Sequence, residues 1–548
     1  MLTRREALGA TGEWLLDLEV SGQPFRFATV PLEVLDFQGD TLVYAEGLGE
    51  LETGFSSLAS AEASVDIALD APESWAQLVA RLRNLERSPA TLRRWFPGQT
   101  LEQARVVLQG EVTGVTYGEP LEPFGFTLRR SVRNQSRPLP TPGMVVDATT
   151  WPVRSGWVVD EKIVGRSYPV IIGYPGLNPS GTPYPASPAL LVETEGTDNT
   201  DLVMIAGHRT DAGRGGVGVW LYRYTADAAP EAANTFSSAT SADGQGRSVT
   251  TVTPGLSLGA ALQPGEELWV GWTTSGGGLL ASTAGGVLRG AGDVIAWLLQ
   301  TFSDAPIDLR RLGALRQRLN LYQIDTWINE PQNPVDWIAD VLLPILPIEP
   351  RQGPEGLWYA LLPTDVSQAD VVARLDADAG EVSRESAIEI DASNIVNEVV
   401  VEYGPDRDGS AFRFRVILSA LNNRTDDDLV GTLDDTRVVG SYRAELSQRQ
   451  FGRRRETIEA GPIWDPATAA RIAQDVVTRQ ALPQRFVDYL GGSELEALDV
   501  GQVIAITDSA VDLQDQLALV LDVEVGGPAV LLSLQLLDDP VVFERSTS

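Results

Sequence analysis

The sequence predicts a mainly β protein with α/β portions, in which two β-barrel-like modules, N-terminal and C-terminal, flank a β-rich insertion and a helical middle domain. Three observations support this fold class. Apolar and polar residues alternate near both ends of the chain, which is the pattern of half-buried strands. Apolar runs with helical spacing are concentrated between about residues 287 and 343. The chain, at 548 residues, is too long for one hydrophobic core and should divide into roughly three or four domains.

The first module, residues 1–135, is expected to combine strands with one packed helix. Val65, Ile67 and Leu69 alternate and therefore share one face of a strand. Asp70 and Pro72 are typical of a helix start. The predicted apolar face of this helix consists of Trp75, Leu78, Val79, Leu82 and Leu85. The predicted strands are 14–19, 25–30, 63–69, 105–117 and 124–132.

The two central segments differ in composition. Residues 136–285 are rich in Pro, Gly, Ser and Thr, which indicates short strands and long loops. Residues 286–380 are expected to form a helical domain, in which Pro344 and Pro347 stop the last helix. The predicted central elements are strands 189–192, 202–206, 218–222 and 268–272 and helices 287–302, 309–319 and 334–343.

The last module, residues 381–548, returns to strands. Asp465 and Pro466 predict the start of a helix that buries Ile472, Ala473, Val476 and Val477. The predicted strands are 395–403, 412–418, 456–460, 484–490, 503–507, 517–525 and 530–536. Both ends of the chain thus follow one order: strands, one amphipathic helix, strands.

Composition disfavours most enzyme chemistry. The chain has no cysteine and one histidine, His208, and its one lysine is Lys162. Thiolate nucleophiles, imidazole bases and Schiff-base lysines draw on these residues, so we expect a non-enzyme with no catalytic, cofactor-binding or metal site and no cofactor. The net charge of −33 disfavours gripping nucleic acid or anionic membranes. No window approaches the run of about 20 apolar residues that spans a membrane.

Two glycine motifs look catalytic but lack the required context. Gly255, Ser257 and Gly259 match the nucleophile elbow of serine hydrolases, which needs a histidine downstream, whereas His208 lies upstream. Residues 213–218 match G-x-G-x-x-G, which needs a following helix, but the next residues predict a strand. Both motifs are interpreted as loops.

Acidic and arginine clusters leave two interpretations open. Residues 406–409 and 426–428 offer oxygen ligands but lack the full spacing of a calcium loop, so solvated turns are the alternative. Arg453, Arg454 and Arg455 are suited to carboxylate pairing at interfaces, or they form a solvated strand edge.

Three stretches carry a resemblance to a known family. Residues 92–117 contain Trp95-x-Pro97-Gly98 and then a glycine-bearing strand, and residues 147–173 end in a Gly-x-x-x-Pro-apolar-apolar-x-Gly strand. Residues 465–537 combine a helix, a strand, the segment 498–503 (LDVGQV) and a closing hairpin. In this order they resemble the tail hub, or baseplate hub, proteins of tailed bacteriophages and gene transfer agents. Residues 180–282 match less well, and no stretch of the sequence resembles the peptidase or lysozyme module that some hubs carry.

The resemblance implies a structural role at the tail tip of a virion. A hub of this family would be a homotrimer whose two barrel-like modules per subunit give six similar faces on the tail tube. Its expected neighbours are the tail tube or distal tail protein ring, tail-tip fibres, spikes or receptor-binding proteins, and viral DNA crossing an acidic lumen without specific binding.

Two other classes of function stay open from the sequence. A carbohydrate-binding or glycoside-hydrolysing tail protein would use a carboxylate pair with exposed tryptophans such as Trp220, Trp269 and Trp272. Tryptophans at alternating spacing more often belong to a core. A secreted or adhesive β protein, which would not form a ring, is the third hypothesis.

Overall fold

A computed structural model describes most of the chain. The described residues are 12–49, 51, 53–54, 62–69, 85–116, 124–131, 136–147, 157–158, 163–177, 184–194, 202–207, 219–225, 228–233, 236–242, 246–254, 267–272, 288–353, 356–362, 366–406, 411–421, 433, 435–526 and 529–537. The fold is mainly β with α/β portions, as the sequence predicts.

The N-terminal strands form an eight-stranded sheet in the order β3-β4-β2-β1-β7-β8-β9-β6. The bounds of the nine strands in this region are β1 Glu13–Val20, β2 Gln23–Ala28, β3 Leu32–Leu35, β4 Thr41–Glu46, β5 Thr53–Gly54, β6 Glu62–Leu69, β7 Pro89–Trp95, β8 Arg105–Thr116 and β9 Phe124–Ser131. All but β5 belong to this sheet. All five predicted strands are confirmed, and Val65, Ile67 and Leu69 are buried on one face of β6. Residues 70–84 of the predicted helix lie outside the described residues, and its last predicted apolar residue, Leu85, is buried.

The segment of residues 136–285 contains a second sheet, in the order β15-β14-β18-β12-β13-β17-β16 with β10 on β12. Its predicted strands are present within β12, β13, β14 and β18. The bounds are β10 Trp157–Val158, β11 Val170–Ile172, β12 Ser187–Thr194, β13 Leu202–Ala206, β14 Val219–Thr225, β15 Ala228–Ala233, β16 Phe236–Ala242, β17 Ser248–Pro254 and β18 Glu267–Trp272. All of these except β11 belong to the second sheet.

The predicted middle helices are also present. Helix α1 buries Val294, Ile295 and Leu298. Helix α2 buries Leu312, Leu315 and Leu319, which lie three or four positions apart, and exposes most of its arginines. Helix α3 continues as a π-helical turn over Ile338–Leu342, and the chain then forms a hairpin. The bounds are α1 Ala291–Phe302, α2 Leu309–Leu319, β19 Thr326–Ile328, α3 Pro334–Trp337, β20 Ile348–Gly353 and β21 Gly356–Leu361.

A four-stranded sheet and two helices form an α/β unit. The sheet order is β27-β26-β25-β28, in which β25–β28 and β26–β27 are parallel pairs. Parallel neighbours need crossover connections, and α4 lies in the connection before β28. Helix α4 was not predicted, because its sequence YRAELSQRQF has few apolar residues. Three short strands precede the unit and belong to the closing sheet: β22 Val371–Asp376, β23 Val382–Arg384 and β24 Glu389–Asp391. The unit itself consists of β25 Glu398–Pro405, β26 Phe412–Ala420, β27 Asp435–Ser441, α4 Tyr442–Phe451, β28 Arg455–Ala460 and α5 Pro466–Gln480.

The closing sheet has the order β22-β30-β31-β32-β29-β23, with β24 on β29 and β5 on β31. It therefore takes strands from the C-terminal region and one short strand, β5, from the N-terminal region. The remaining bounds are β29 Gln484–Gly491, β30 Val503–Asp508, β31 Leu513–Gly526 and β32 Ala529–Leu536.

Each of the two large hydrophobic cores contains residues from more than one of the domains predicted from the sequence. One core joins the N-terminal sheet to the closing sheet, and Leu16, Leu128, Val487 and Leu534 all belong to it. The other joins the middle helices to the α/β unit, from Leu299 to Val401 and beyond. The N-terminal and C-terminal regions of the chain consequently lie side by side. The domain boundaries 1–135, 136–285, 286–380 and 381–548 stay a prediction.

Candidate functional site

A cluster of charged side chains connects the two ends of the chain to the helical middle. This terminal junction consists of Arg94 on β7, Arg105 on β8, Arg311 on α2, Glu496 on the 3-10 turn Ser493–Ala497, and Asp499. Arg94 and Arg105 belong to the first stretch that carries the hub resemblance, and Asp499 belongs to the last. The two stretches therefore meet in space.

The most buried contact of the terminal junction is an ion pair. Arg94 Nε lies 3.5 Å from Glu496 Oε1, and both side chains are almost fully buried. The Arg94 guanidinium also lies 4.9 Å from the ring centre of Trp14 on β1. A buried pair of this kind does little for stability compared with an apolar pair, but removing one partner is costly. It therefore fixes how the two sheets are placed.

The second half of the junction converges on Asp499. Arg105 Nη2 lies 3.6 Å from Asp499 Oδ1, and Arg311 Nη2 donates to Asp499 Oδ2. The guanidinium of Arg311 lies 4.7 Å from the ring centre of Trp358 on β21. A single carboxylate thus holds one arginine from the N-terminal sheet and one from the middle helices.

Burial dominates the electrostatics of the terminal junction. Burial raises the pKa of Glu496, and the nearby charges of Arg94 and Arg105 offset only part of that effect. Burial likewise lowers the pKa of Arg105, against the opposing influence of Asp499 and Glu496. Each charge here depends on its partner because little solvent is available to replace it.

A second cluster, the middle junction, consists of Gly173, Tyr174, Arg289 and Asp325. Arg289 binds the fully buried Asp325 carboxylate with two hydrogen bonds, Nε–Oδ1 at 2.7 Å and Nη2–Oδ2 at 2.8 Å. The backbone N–H of Tyr174 donates to the same Oδ1 at 2.7 Å. Asp325 N–H donates to the carbonyl oxygen of Pro462, next to α5, at 2.8 Å.

Gly173 makes the middle junction possible. Its φ is +69°, and a Cβ at this position would lie 2.0 Å from the Ile324 carbonyl oxygen and 2.2 Å from Asp325 Oδ1. Only glycine allows this approach without displacing the backbone. Gly173 ends the second stretch that carries the hub resemblance, so all three stretches contribute to junctions between parts of the fold.

The arginine cluster of residues 453–455 has a role that the sequence left open. Arg455 does begin an edge strand, β28, but Arg453 and Arg455 both bind Glu398, whose side chain is fully buried. Arg453 Nε donates to Glu398 Oε2 at 2.7 Å, and Ser419 Oγ donates to the same oxygen at 2.7 Å. The predicted position at a strand edge is therefore correct. The predicted solvation is incomplete as an explanation, because two of the three arginines pair with a buried carboxylate.

The other sequence motifs contribute no described site. Residues 208, 213–218, 255–259, 407–409 and 426–428 lie outside the described residues. Asp406 caps its own loop by accepting from the N–H of Ala411. Trp269 and Trp272 are buried, which contradicts the idea that they stack on sugars. Trp220 lies on strand β14, where the sequence predicts a strand.

Within the described ranges, no group of three or more His, Asp or Glu side chains is placed to hold a metal ion. Among the helices that the structure describes, none is both long and apolar enough to cross a membrane.

Sequence reasoning missed both junctions. The available signal was a charged residue at a position where the pattern calls for an apolar one. Arg94 follows Ala90 and Leu92 at the alternate, buried positions of β7, and Asp325 follows Ile324. That signal identifies a buried charge but does not name its partner, because the partners are 36 or more positions away along the chain.

Neither a protein-family model nor a curated protein sequence matches the chain. Several solved structures are similar to it at low sequence identity. The tail protein from Neisseria meningitidis MC58 is 12% identical, with a TM-score of 0.35 and coverage of 95% of this chain and 96% of that chain. The 43 kDa tail protein of prophage MuSo2 from Shewanella oneidensis is 8% identical, with the same TM-score and coverage. Prophage tail protein gp18 from Listeria monocytogenes EGD-e is 11% identical, with a TM-score of 0.25 and coverage of 57% and 87%.

Proposed function

We propose that this chain is a structural component of the tail of a tailed bacteriophage or phage-like particle, and that it forms the hub at the tail tip. The proposal includes a homotrimeric ring that caps the tail tube and surrounds the channel through which DNA leaves. It assigns no catalytic role to the chain.

The observation that carries the proposal is the pairing of the two ends of the chain. The N-terminal sheet and the closing sheet each contain eight strands and share one continuous core. Strand β5, from the N-terminal region, pairs with β31, so the closing sheet includes a segment from the first part of the chain. One subunit therefore offers two sheets of similar size side by side, and three subunits would offer six. This arrangement suits a three-fold ring seated on a six-fold tube.

The junctions support the same interpretation. A hub must keep two sheets in a fixed relative position while it contacts several neighbours. The terminal junction ties the sheets to each other and to α2 through the paired charges of Arg94, Arg311 and Asp499. Rigid joints of this kind suit an assembly component.

The proposed partners follow from the ring. They are two further copies of the chain, the tail tube or distal tail protein ring, tail-tip fibres, spikes or receptor-binding proteins, and DNA in transit. A net charge of −33 favours a channel wall to which DNA does not adhere. An assembled ring with a neutral or basic lumen would contradict this last point.

The oligomeric state and location test the proposal together. We expect the purified chain, or the tails that contain it, to give a mass near three times the 59.1 kDa of one subunit. Gold-labelled antibody should bind at the tail tip, and particles without the gene should have tails that are unassembled or lack a tip. A monomer that cleaves polysaccharide would overturn the hub assignment and favour the carbohydrate-active alternative.

A further inference from the structure

The hairpin β3–β4 carries exposed apolar side chains on its outer face. Leu35 and Val43 are 52% and 65% exposed, and Phe37, in the connecting turn, is 75% exposed. On the opposite face of the hairpin, Val34 and Tyr44 are buried in a small core. Apolar residues this exposed and this close together indicate a surface that another protein covers.

The turn of this hairpin is held by its own hydrogen bonds and is negatively charged. Asp36 Oδ1 accepts from the backbone N–H groups of Gln38, at 2.9 Å, and Asp40, at 2.8 Å. Phe37 is therefore presented in a fixed position. Residues 32–46, which we call the acidic hairpin, contain neither lysine nor arginine. Their carboxylates are those of Glu33, Asp36, Asp40 and Glu46. A complementary partner would combine an apolar strip with positive charge.

Helix α2 offers a surface of this kind. Its sequence, LRRLGALRQRL, contains four arginines and no acidic residue. Leu309 at its start and Leu321 just after its end are each 54% exposed. Gly313 and Gln317 are exposed on the same side of the helix as Leu309, and a Cβ on Gly313 would meet no atom within 4 Å. We call this strip, residues 309, 310, 313, 314, 317 and 321, the basic face.

The arginines beside the basic face reach further into solvent than their partners. Arg316 pairs with Asp293, and Arg318 pairs with Asp370. The arginine side chains of these pairs are 48% and 58% exposed, against 22% and 30% for the aspartates. Arg310 is exposed as well. An acidic surface that approaches this face therefore meets guanidinium groups first.

The two surfaces lie at opposite ends of the N-terminal sheet. The turn of the acidic hairpin lies at the end where β2 begins, because β4 runs parallel to β2. The registers of β1, β2, β7 and β8 place Arg105, the first residue of β8, at the end where β2 finishes. Helix α2 adjoins that end, since its Arg311 shares Asp499 with Arg105. Four strands also separate β3 from β8. A contact between the acidic hairpin and the basic face therefore joins two copies of the chain.

We propose that the acidic hairpin of one copy docks on the basic face of the next copy. Phe37 would pack in the low strip beside Gly313, and the hairpin carboxylates would face Arg310 and Arg318. Since two different surfaces meet, the contact is head-to-tail, and it generates a ring when the rotation between copies closes. The inference rests on the proposed homotrimer and names the interface that would build it.

Cross-linking of the full-length protein tests the contact directly, because the chain has no cysteine of its own. Gln38→Cys and Gly313→Cys place one thiol on each surface. With a flexible bis-maleimide, a mixture of the two single variants should give covalent dimers that contain one copy of each, and the double variant should give covalent trimers. Gln38→Cys mixed with Ile390→Cys, at an exposed residue of β24, is the matched control. A yield no higher than in this control would overturn the proposal.

Sedimentation of charge variants tests the chemistry of the same contact. Val43→Asp should weaken trimer formation about tenfold or more, because it adds a charge to the apolar part of the interface. Ile390→Asp is its control, at a strand residue of similar exposure, 69% against 65%. Arg310→Glu and Glu33→Arg should each weaken the trimer, and the two together in one chain should restore most of the affinity. A trimer that neither Val43→Asp nor Arg310→Glu weakens would overturn this interface and leave the hub assignment standing, whereas a native chain that remains a monomer would overturn both.

Discussion

At the scale of single residues, buried carboxylates bound by arginine define the fixed points of this molecule. Glu398 and Asp325 are fully buried, and each is bound by arginine side chains that reach solvent at their edges. A buried charge is tolerated only when its partners replace the lost water. Removing either side of such a pair should therefore cost more than removing an exposed ion pair.

Glu398→Gln tests this at the α/β unit. The substitution keeps the size and one acceptor oxygen but leaves Arg453 and Arg455 without their shared negative charge. We expect the free energy of unfolding to fall by about 2 kcal/mol, less than for a completely enclosed pair because both arginines are partly exposed. Urea denaturation measures it, and Glu389→Gln, at an exposed position on β24, should change stability by less than about 0.5 kcal/mol.

The same carboxylate predicts a pH dependence. Burial would raise the pKa of Glu398, but hydrogen bonds from Arg453, Ser419 and Arg455 outweigh it, so the pKa lies below its ordinary value of 4.5. A lowered native pKa stabilises the fold above pH 4.5, and this contribution is lost as the pH falls through the native pKa. The stability difference between the native chain and Glu398→Gln should therefore shrink as the pH is lowered below 4.5. A difference that stays constant down to pH 3 would contradict the prediction.

Gly173 and Gly165 form a matched pair for testing the middle junction. Both have positive φ values, +69° and +85°, but only at Gly173 would a Cβ strike neighbouring atoms. Gly165→Ala should cost about 1 kcal/mol for the left-handed backbone alone. Gly173→Ala should cost at least about 2 kcal/mol more, because the backbone of Ile324 must also move. Equal losses in thermal or urea unfolding would mean that the close approach has no energetic consequence.

At the scale of elements, local sequence signals specify where helices start. Helix α5 has Asp465 as its N-cap, whose carboxylate accepts from the Thr468 N–H at 2.8 Å, and Pro466 follows at the first helical position. One face of this helix buries Ile472, Ala473 and Val477 against strands β25 and β26 of the four-stranded sheet. The cap sets the start of the helix, and the apolar face provides most of its stability.

Asp465→Ala tests the cap. We expect a loss of about 1 kcal/mol in the protection of the first α5 amides against hydrogen exchange, because the Thr468 N–H loses its acceptor. Asp465→Asn retains an acceptor oxygen and should keep most of that protection. Equal exchange rates in the two variants would show that another group caps the helix.

At the scale of the whole molecule, the placement of the two ends depends on one shared core and on the terminal junction. Arg94 lies on β7 of the N-terminal sheet, and Glu496 lies on the 3-10 turn between strands β29 and β30 of the closing sheet. Their ion pair therefore connects the two parts directly. Neither sheet can shift relative to the other without exposing apolar side chains or leaving these charges unpaired.

A double-mutant cycle measures the coupling across this joint. Arg94→Met should destabilise the fold by about 3 kcal/mol, because it leaves the buried Glu496 carboxylate without its partner. Adding Glu496→Gln removes that charge, so the double variant should recover at least half of the loss. Arg374→Met removes an exposed pair with Asp515 and should cost less than about 1 kcal/mol. Additive effects of the two junction variants would show that the pair does not couple the sheets.

The sequence by itself determined the elements of this protein. Alternation located the strands of both ends, and Asp465 with Pro466 located the start of α5, because these signals depend on residues a few positions apart. It missed helix α4, whose polar composition gives no apolar stripe, and several strands, among them the internal strands β7 and β17.

Only the tertiary structure decided which elements meet. The pairing of β5 with β31, the parallel pair β22–β30 and the ion pair of Arg94 with Glu496 all join residues that are more than 100 positions apart. A charged residue in the sequence does not specify its partner, since any of 75 carboxylates satisfies the same local pattern. Partner choice follows from how the apolar faces pack together, which is a property of the whole chain.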